Sequence, residues 1–223
     1  MEWSEHSLDI FLAPVSIVVT IGYHLFLWHS FKNKHPSVSL RAQSIRRRAW
    51  FLDIIDQDNE KRGILTVQSL RNSMMTVVII SFLAVILYSS LAAQTNNVYE
   101  ARGLVHHSPI TSSTESIQIL KYATASLFLL LSFLCSSMAI ASLIEASFLI
   151  YVTEDLLPHH AHHLLERAFT LATAGERVLY ITVPLMLWMF GPVAMALSSL
   201  AMVWVLYQLD FTGTVDVSNK EYK

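Results

Sequence analysis

Three carboxylates, Glu2, Glu5 and Asp9, fall within the first nine residues at spacings of three and four. On an α-helix those spacings align the side chains along one face. A long apolar run follows, and a carboxylate drawn to the bilayer centre costs roughly 2.5–3.5 kcal/mol, so Asp9 belongs at an interface or beside water. Acids near a helix N-terminus gain about 0.3–1 kcal/mol from the helix dipole, which accounts for one or two of them but does not require a shared face. Several copies around one axis would stack the stripe into rings of negative charge, and such rings concentrate cations and exclude anions. Continued at the same step, the stripe reaches Ser16, with Thr20 adjacent. A second candidate lining runs through Thr76, Ile80, Leu83, Leu87, Ser90 and Gln94, polar at both ends and apolar between, as in a pore with a hydrophobic gate. Any spanning helix is polar at its ends, so the first stripe is preferred because it carries the charge.

Other groups suggest different chemistry. The stretch "DQDNEKRG" alternates Asp56, Asp58 and Glu60, but a calcium loop needs Gly at its sixth position and a bidentate Glu at its twelfth, where this chain has Lys61 and Val67. That loop is excluded. "LPHHAHHLLER" gathers His159, His160, His162 and His163, which on one helix face would suit a transition metal or titrate near pH 6.5 as a pH-sensitive patch. No cysteine is near, and a solvated tract fits equally well; no metal site is assigned. His24 and Glu145 are ionisable within apolar runs. A contact of Glu145 with His24, or with Arg71, reads as a structural polar pair rather than a catalytic one. No nucleophile elbow, paired metal motif or phosphate-cradling glycine loop is present, and the chain has six glycines in all. The residues do not point to an enzyme, and they call for no cofactor.

The elements that must position these groups follow from composition. Hydrophobic residues make up 53% of the 223 and charged residues 14%, well below the roughly 25% charge of a soluble domain. The apolar residues cluster into four runs near 8–29, 73–94, 122–151 and 178–208. Each approaches or exceeds the roughly 20 residues that cross a bilayer as a helix. The expected fold is all-α: a single four-helix transmembrane domain over 1–223. Small residues, Ser132, Ser136 and Ser137 on the third run and Gly191, Ala194, Ser198 and Ala201 on the fourth, suit close helix packing in lipid. Cys135 is the one cysteine, so no intrachain disulfide forms.

Charge sets the expected orientation. Lys32, Lys34, Arg41, Arg46, Arg47, Arg48, Lys61, Arg62 and Arg71, nine of the fifteen basic residues, fall in the connection 30–72. The positive-inside rule places that connection in the cytosol and both termini in the lumen. The third connection, 152–177, is then cytosolic too. Basic residues interleaved with Trp50, Phe51, Leu52, Ile54 and Ile55 make 30–72 an amphipathic segment, and Arg46, Arg47 and Arg48 suit anionic lipids at about 1 kcal/mol per charge. Segregated charge with a net of −2 leaves no nucleic-acid footprint.

The stretches "GYHLFLWH", "DNEKRGILTVQSLRNSMM" and "FGPVAMALSSLAMVWVLYQLD" resemble a plant membrane family catalogued as domain of unknown function 599. The resemblance implies a homopentameric, calcium-permeable cation channel of the endoplasmic reticulum acting in plant defence. Glu2, Asp9, Tyr23, His24 and Trp28 fall inside the family's opening motif, whereas Glu5 and the histidine cluster do not. The expected protein is therefore a ring-shaped homo-oligomer with Glu2, Glu5 and Asp9 at the lumenal mouth and Ser16 and Thr20, or Thr76 through Gln94, along the passage. The competing expectation is a tetraspan scaffold that recruits partners through its basic cytosolic loop.

Overall fold

A computed structural model describes residues 2–32, 46–47, 49–50, 60–103, 112–149 and 157–211. Among the described residues the regular structure is helical: α1 (Glu2–Lys32), α2 (Glu60–Gly103), α3 (Ser112–Leu149), α4 (Leu157–Leu187), a 3₁₀ turn (Trp188–Phe190) and α5 (Pro192–Phe211). Four stretches are long and apolar enough to cross a membrane: Phe11–Ser30, Ile64–Asn97, Gln118–Leu149 and Pro192–Phe211. The all-helical fold with four membrane-length apolar helices is the one expected from composition. Large apolar side chains such as Phe11, Trp28, Phe82, Phe148 and Trp204 point outward along these spans, as surfaces solvated by lipid require.

Helix boundaries depart from the expectation in three places. α2 is one helix of 44 residues that begins thirteen residues before the expected span, so part of the basic connection is helical. At 1.5 Å per residue it is about 66 Å long, twice the hydrocarbon thickness. The expected third connection is helical from Leu157 onward as α4. The expected fourth run, 178–208, is divided at Trp188–Gly191. The reason is local: Pro192 has no N–H and disfavours helical backbone in the residue before it, and Gly191 takes a φ of 139° that side chains rarely adopt. Gly191 O accepts the Met195 N–H at 3.2 Å, and Pro192 occupies the first helical position of α5, where a missing N–H costs nothing.

The chain forms two compact units, Met1–Gln57 with Gly191–Lys223, and Asp58–Phe190. In the first, α1 packs against α5. α1 buries Ala13, Ser16, Thr20, Tyr23, Leu27 and Ser30 at steps of three and four, and α5 buries Met195, Ser199, Leu206 and Asp210. The buried line of α5 therefore lies one position on from the small residues Ala194 and Ser198, while Ala201 is exposed. In the second unit, α3 packs against both α2 and α4. α3 buries Ala125, Leu129, Ser132, Ser136, Ala139, Leu143 and Ala146; α4 buries Ala161, Leu165, Ala168, Gly175, Leu179 and Thr182. Both repeat every 3.5 residues on average, the period of two helices that stay in contact over many turns.

Candidate functional site: a charged helix beside an apolar one

The contact between α3 and α4 is built on small residues. Ser132 Oγ donates to Gly175 O at 2.7 Å, a bond between helices. A Cβ on Gly175 would stand 2.7 Å from Ser136 Oγ and 3.2 Å from Ser132 O. Without side chains between them the backbones close up, and packing and hydrogen bonds supply the attraction that water would otherwise drive. Ser136 Oγ is buried and has no hydrogen-bond partner among the described residues. At the other end Lys121 Nζ donates to Trp188 O at 3.4 Å and stands 5.0 Å from the Trp188 ring centroid.

These two contacts fix direction and register. Eleven residues back along α3, from Ser132 to Lys121, correspond to thirteen residues forward along α4, from Gly175 to Trp188. The helices are antiparallel, and α4 runs beside the apolar stretch of α3 to its N-terminal end. The midpoint of the span Gln118–Leu149 lies between Phe133 and Leu134. In this antiparallel register the α4 residues opposite it are Thr173 and Ala174, and Glu176 and Arg177 lie opposite Leu131 and Leu130. Two charged residues thus lie within about one helical turn of the middle of an apolar span.

Outside its buried stripe α4 is polar at several positions from His163 to Tyr180 and apolar beyond, at Ile181, Val183 and Met186. His163, Glu166, Arg167 and Thr170 are exposed, and Thr173, Glu176, Arg177 and Tyr180 are half-buried. Tyr180 OH donates to Glu176 Oε1 at 2.7 Å, one turn apart. His162 Nδ1 lies 3.8 Å from Glu166 Oε1. Thr170 and Thr173 direct their hydroxyls to the carbonyls of Glu166 and Phe169, each at 2.8 Å. Such back-bonding satisfies a hydroxyl that has no water to itself.

The residues singled out from sequence are distributed as follows. Ser16 and Thr20 lie on the buried face of α1, and their hydroxyls bond to the carbonyls of Leu12 at 2.8 Å and Ser16 at 2.9 Å. His24 Nδ1 donates to Thr20 O at 2.8 Å, and its Nε2 is buried with no hydrogen-bond partner among the described residues. On α2, Thr76, Leu83, Ser90 and Gln94 are exposed, and Ile80 and Leu87 are half-buried. Arg71 and Glu145 are both exposed, and no ion pair joins them among the described residues. The side chains of Glu2, Glu5, Asp9, His159 and His160, and residue Arg48, lie outside the described residues; Arg46 and Arg47 are helical, and Arg46 is exposed. No group of three or more metal-ligating side chains converges among the described residues.

Two polar groupings come from the structure and not from the sequence reading. One is Glu176 with Arg177 and Tyr180. The signal was present in the buried series Ala161–Leu165–Ala168–Gly175–Leu179–Thr182, whose 3.5-residue step marks a packed helix, but the charges within it read as a connection. The other joins α1 to α5: Tyr23 OH donates to Asp210 Oδ2 at 2.5 Å, with Asp210 1% exposed. A carboxylate so buried is held by charge-assisted bonds of this kind.

A helical chain with four membrane-length apolar stretches is a polytopic membrane protein. The family described as "Protein of unknown function, DUF599" matches residues 11–215, and the chain belongs to that family. No curated protein and no solved structure matches it.

Proposed function

We propose that the chain is a subunit of a homo-oligomeric, calcium-permeable cation channel of the endoplasmic reticulum membrane, a homopentamer acting in plant defence. The observation that carries the conducting part of this reading is the register of α4: Glu176 and Arg177 lie within about one helical turn of the middle of the α3 span. A charge at the centre of a bilayer costs roughly 2.5–3.5 kcal/mol, and two are retained where the face that bears them meets protein or water. Within one chain, 28%, 22%, 28% and 17% of the four spans is buried, which leaves most of their surface for lipid and neighbouring copies. A ring of copies with α4 turned inward gives its polar face the water it needs. Transport is passive flow down the lumenal calcium gradient, with no catalytic step. Glu2, Glu5 and Asp9 serve the lumenal mouth, where their charge draws cations in. Organelle, subunit number and the role in defence rest on the family resemblance, which extends to WeiTsing, a clubroot-resistance channel of crucifers.

In this reading α4 is itself a crossing. With the basic connection cytosolic, the N-terminus is lumenal and α3 runs from lumen to cytosol. α4 returns to the lumen and α5 crosses once more, so the C-terminus is cytosolic. With α4 not crossing, both termini lie in the lumen, as the sequence leads one to expect; the side on which the C-terminus lies distinguishes the two counts.

Purified protein in liposomes loaded with a calcium-sensitive dye tests the proposal. Calcium entry that scales with protein content is expected. Absence of flux, with particles that show no axial opening, overturns the channel and favours a scaffold working through the basic segment around Arg46 and Arg47, where anionic lipids would also bind.

A further inference from the structure

We infer that Arg71 and the groove beside it on α2 seat an anionic phospholipid, its phosphate on the guanidinium and an acyl chain along Met74, Met75, Val78 and Ile79. The inference holds whether or not the chain conducts. Arg71 is the one charged residue of the apolar stretch Ile64–Asn97. It is exposed, and among the described residues no carboxylate or other hydrogen-bond acceptor meets it. A guanidinium does not shed its proton in a protein. Within an apolar span it therefore needs an anion, reached by extending toward the headgroups.

The groove gives that anion a body. Arg71, Met74, Met75, Val78 and Ile79 line an open groove of about 390 Å³. Their spacing places them on one face of α2, about 12 Å from end to end at 1.5 Å per residue. This face lies apart from the line of Leu70, Val77 and Ala84 that α2 buries. One end of the groove is cationic and the rest is apolar, which is the layout of a phospholipid and not of an apolar helix. The planar fork of Arg71 matches a phosphate at two points. Gln68 and Asn72, also exposed, add hydrogen-bonding groups at the same end. The two methionines adapt their shape to an acyl chain. Depth agrees as well. The stretch has 34 residues, about 51 Å of helix, whereas about 20 residues fill the hydrocarbon core. The surplus lets Arg71 stand at headgroup level while Met74 to Ile79 enter the hydrocarbon. With the basic connection cytosolic, this is the leaflet that holds the anionic lipids.

Native mass spectrometry of the purified full chain in detergent tests this, with dioleoylphosphatidylserine and dioleoylphosphatidylcholine titrated separately. Wild type, Arg71→Gln and Val78→Trp are compared. Wild type is expected to bind phosphatidylserine more tightly than phosphatidylcholine. Arg71→Gln should weaken phosphatidylserine about fivefold, the effect of one basic residue on an anionic lipid, and leave phosphatidylcholine unchanged. Val78→Trp, which fills the groove, should weaken both lipids. Glycerophosphoserine, a headgroup without chains, should not compete. Undiminished phosphatidylserine binding by Arg71→Gln overturns the inference. Effective competition by glycerophosphoserine overturns it in favour of a site for free phosphate esters. Loss of the oligomer in Arg71→Gln with lipid binding intact overturns it in favour of a carboxylate from a neighbouring copy. Should Arg71→Gln fail to fold, Val78→Trp decides: full phosphatidylserine binding by that variant overturns the inference.

Discussion

At Gly175 the space where a side chain would begin is already taken. A methyl group there meets Ser136 Oγ at 2.7 Å and the backbone of Ser132 and Ser136 at 3.2 and 3.3 Å. Gly175→Ala therefore forces α3 and α4 apart, at a cost of about 1–3 kcal/mol typical of overpacking. Thermal unfolding in detergent should show a lowered midpoint, and adding Ser136→Ala, which removes the nearest atom, should restore part of it. An unchanged midpoint in Gly175→Ala would mean the helices are not in this contact. The small-residue signal in the sequence pointed to Ser132, Ser136 and Ser137 as packing positions; the first two are fully buried and Ser137 is exposed. It did not identify Gly175 as their partner, because a glycine within a polar stretch reads equally well as a turn. Nor did it identify Asp210, whose burial depends on Tyr23, 187 residues away in the chain.

At the level of elements, the four apolar spans were legible because lipid imposes a single requirement, about 20 apolar residues without a break, and composition reports it directly. The corner at Gly191–Pro192 was legible in principle, since both residues have strong backbone preferences, but the uninterrupted hydropathy of 178–208 concealed it. α4 was hidden for a different reason. Its inner face is apolar and its outer face carries Glu166, Arg167, Glu176 and Arg177, so a sliding average sees a polar connection where the structure has a helix of 31 residues. Periodicity, which distinguishes the two faces, is the measure that recovers it. If α4 crosses the bilayer, the two chain ends lie on opposite sides. An epitope at the C-terminus should be digested by protease added to sealed microsomes with the cytosolic face outward, while one at the N-terminus is protected. Protection of both tags would place the ends together in the lumen and remove α4 as a crossing.

For the whole molecule, the four apolar helices leave most of their surface outside the chain's own core, while α4 carries charge at Glu166, Arg167, Glu176 and Arg177. The proposed ring would leave apolar faces to lipid and give polar faces a shared aqueous interior. The family resemblance supplied the channel and its ion; Ser16 and Thr20, Thr76 through Gln94, and the polar residues of α4 are alternative linings for the proposed passage. The most direct measurement uses Thr170, an exposed residue on the polar face of α4. Channels carrying Thr170→Cys in a Cys135→Ser background are recorded in a planar bilayer while a positively charged, membrane-impermeant thiol reagent is added. The account predicts progressive loss of cation current in Thr170→Cys and none in the Cys135→Ser parent. Full current persisting in both, with the thiol shown to be unmodified, would contradict a water-filled passage along α4.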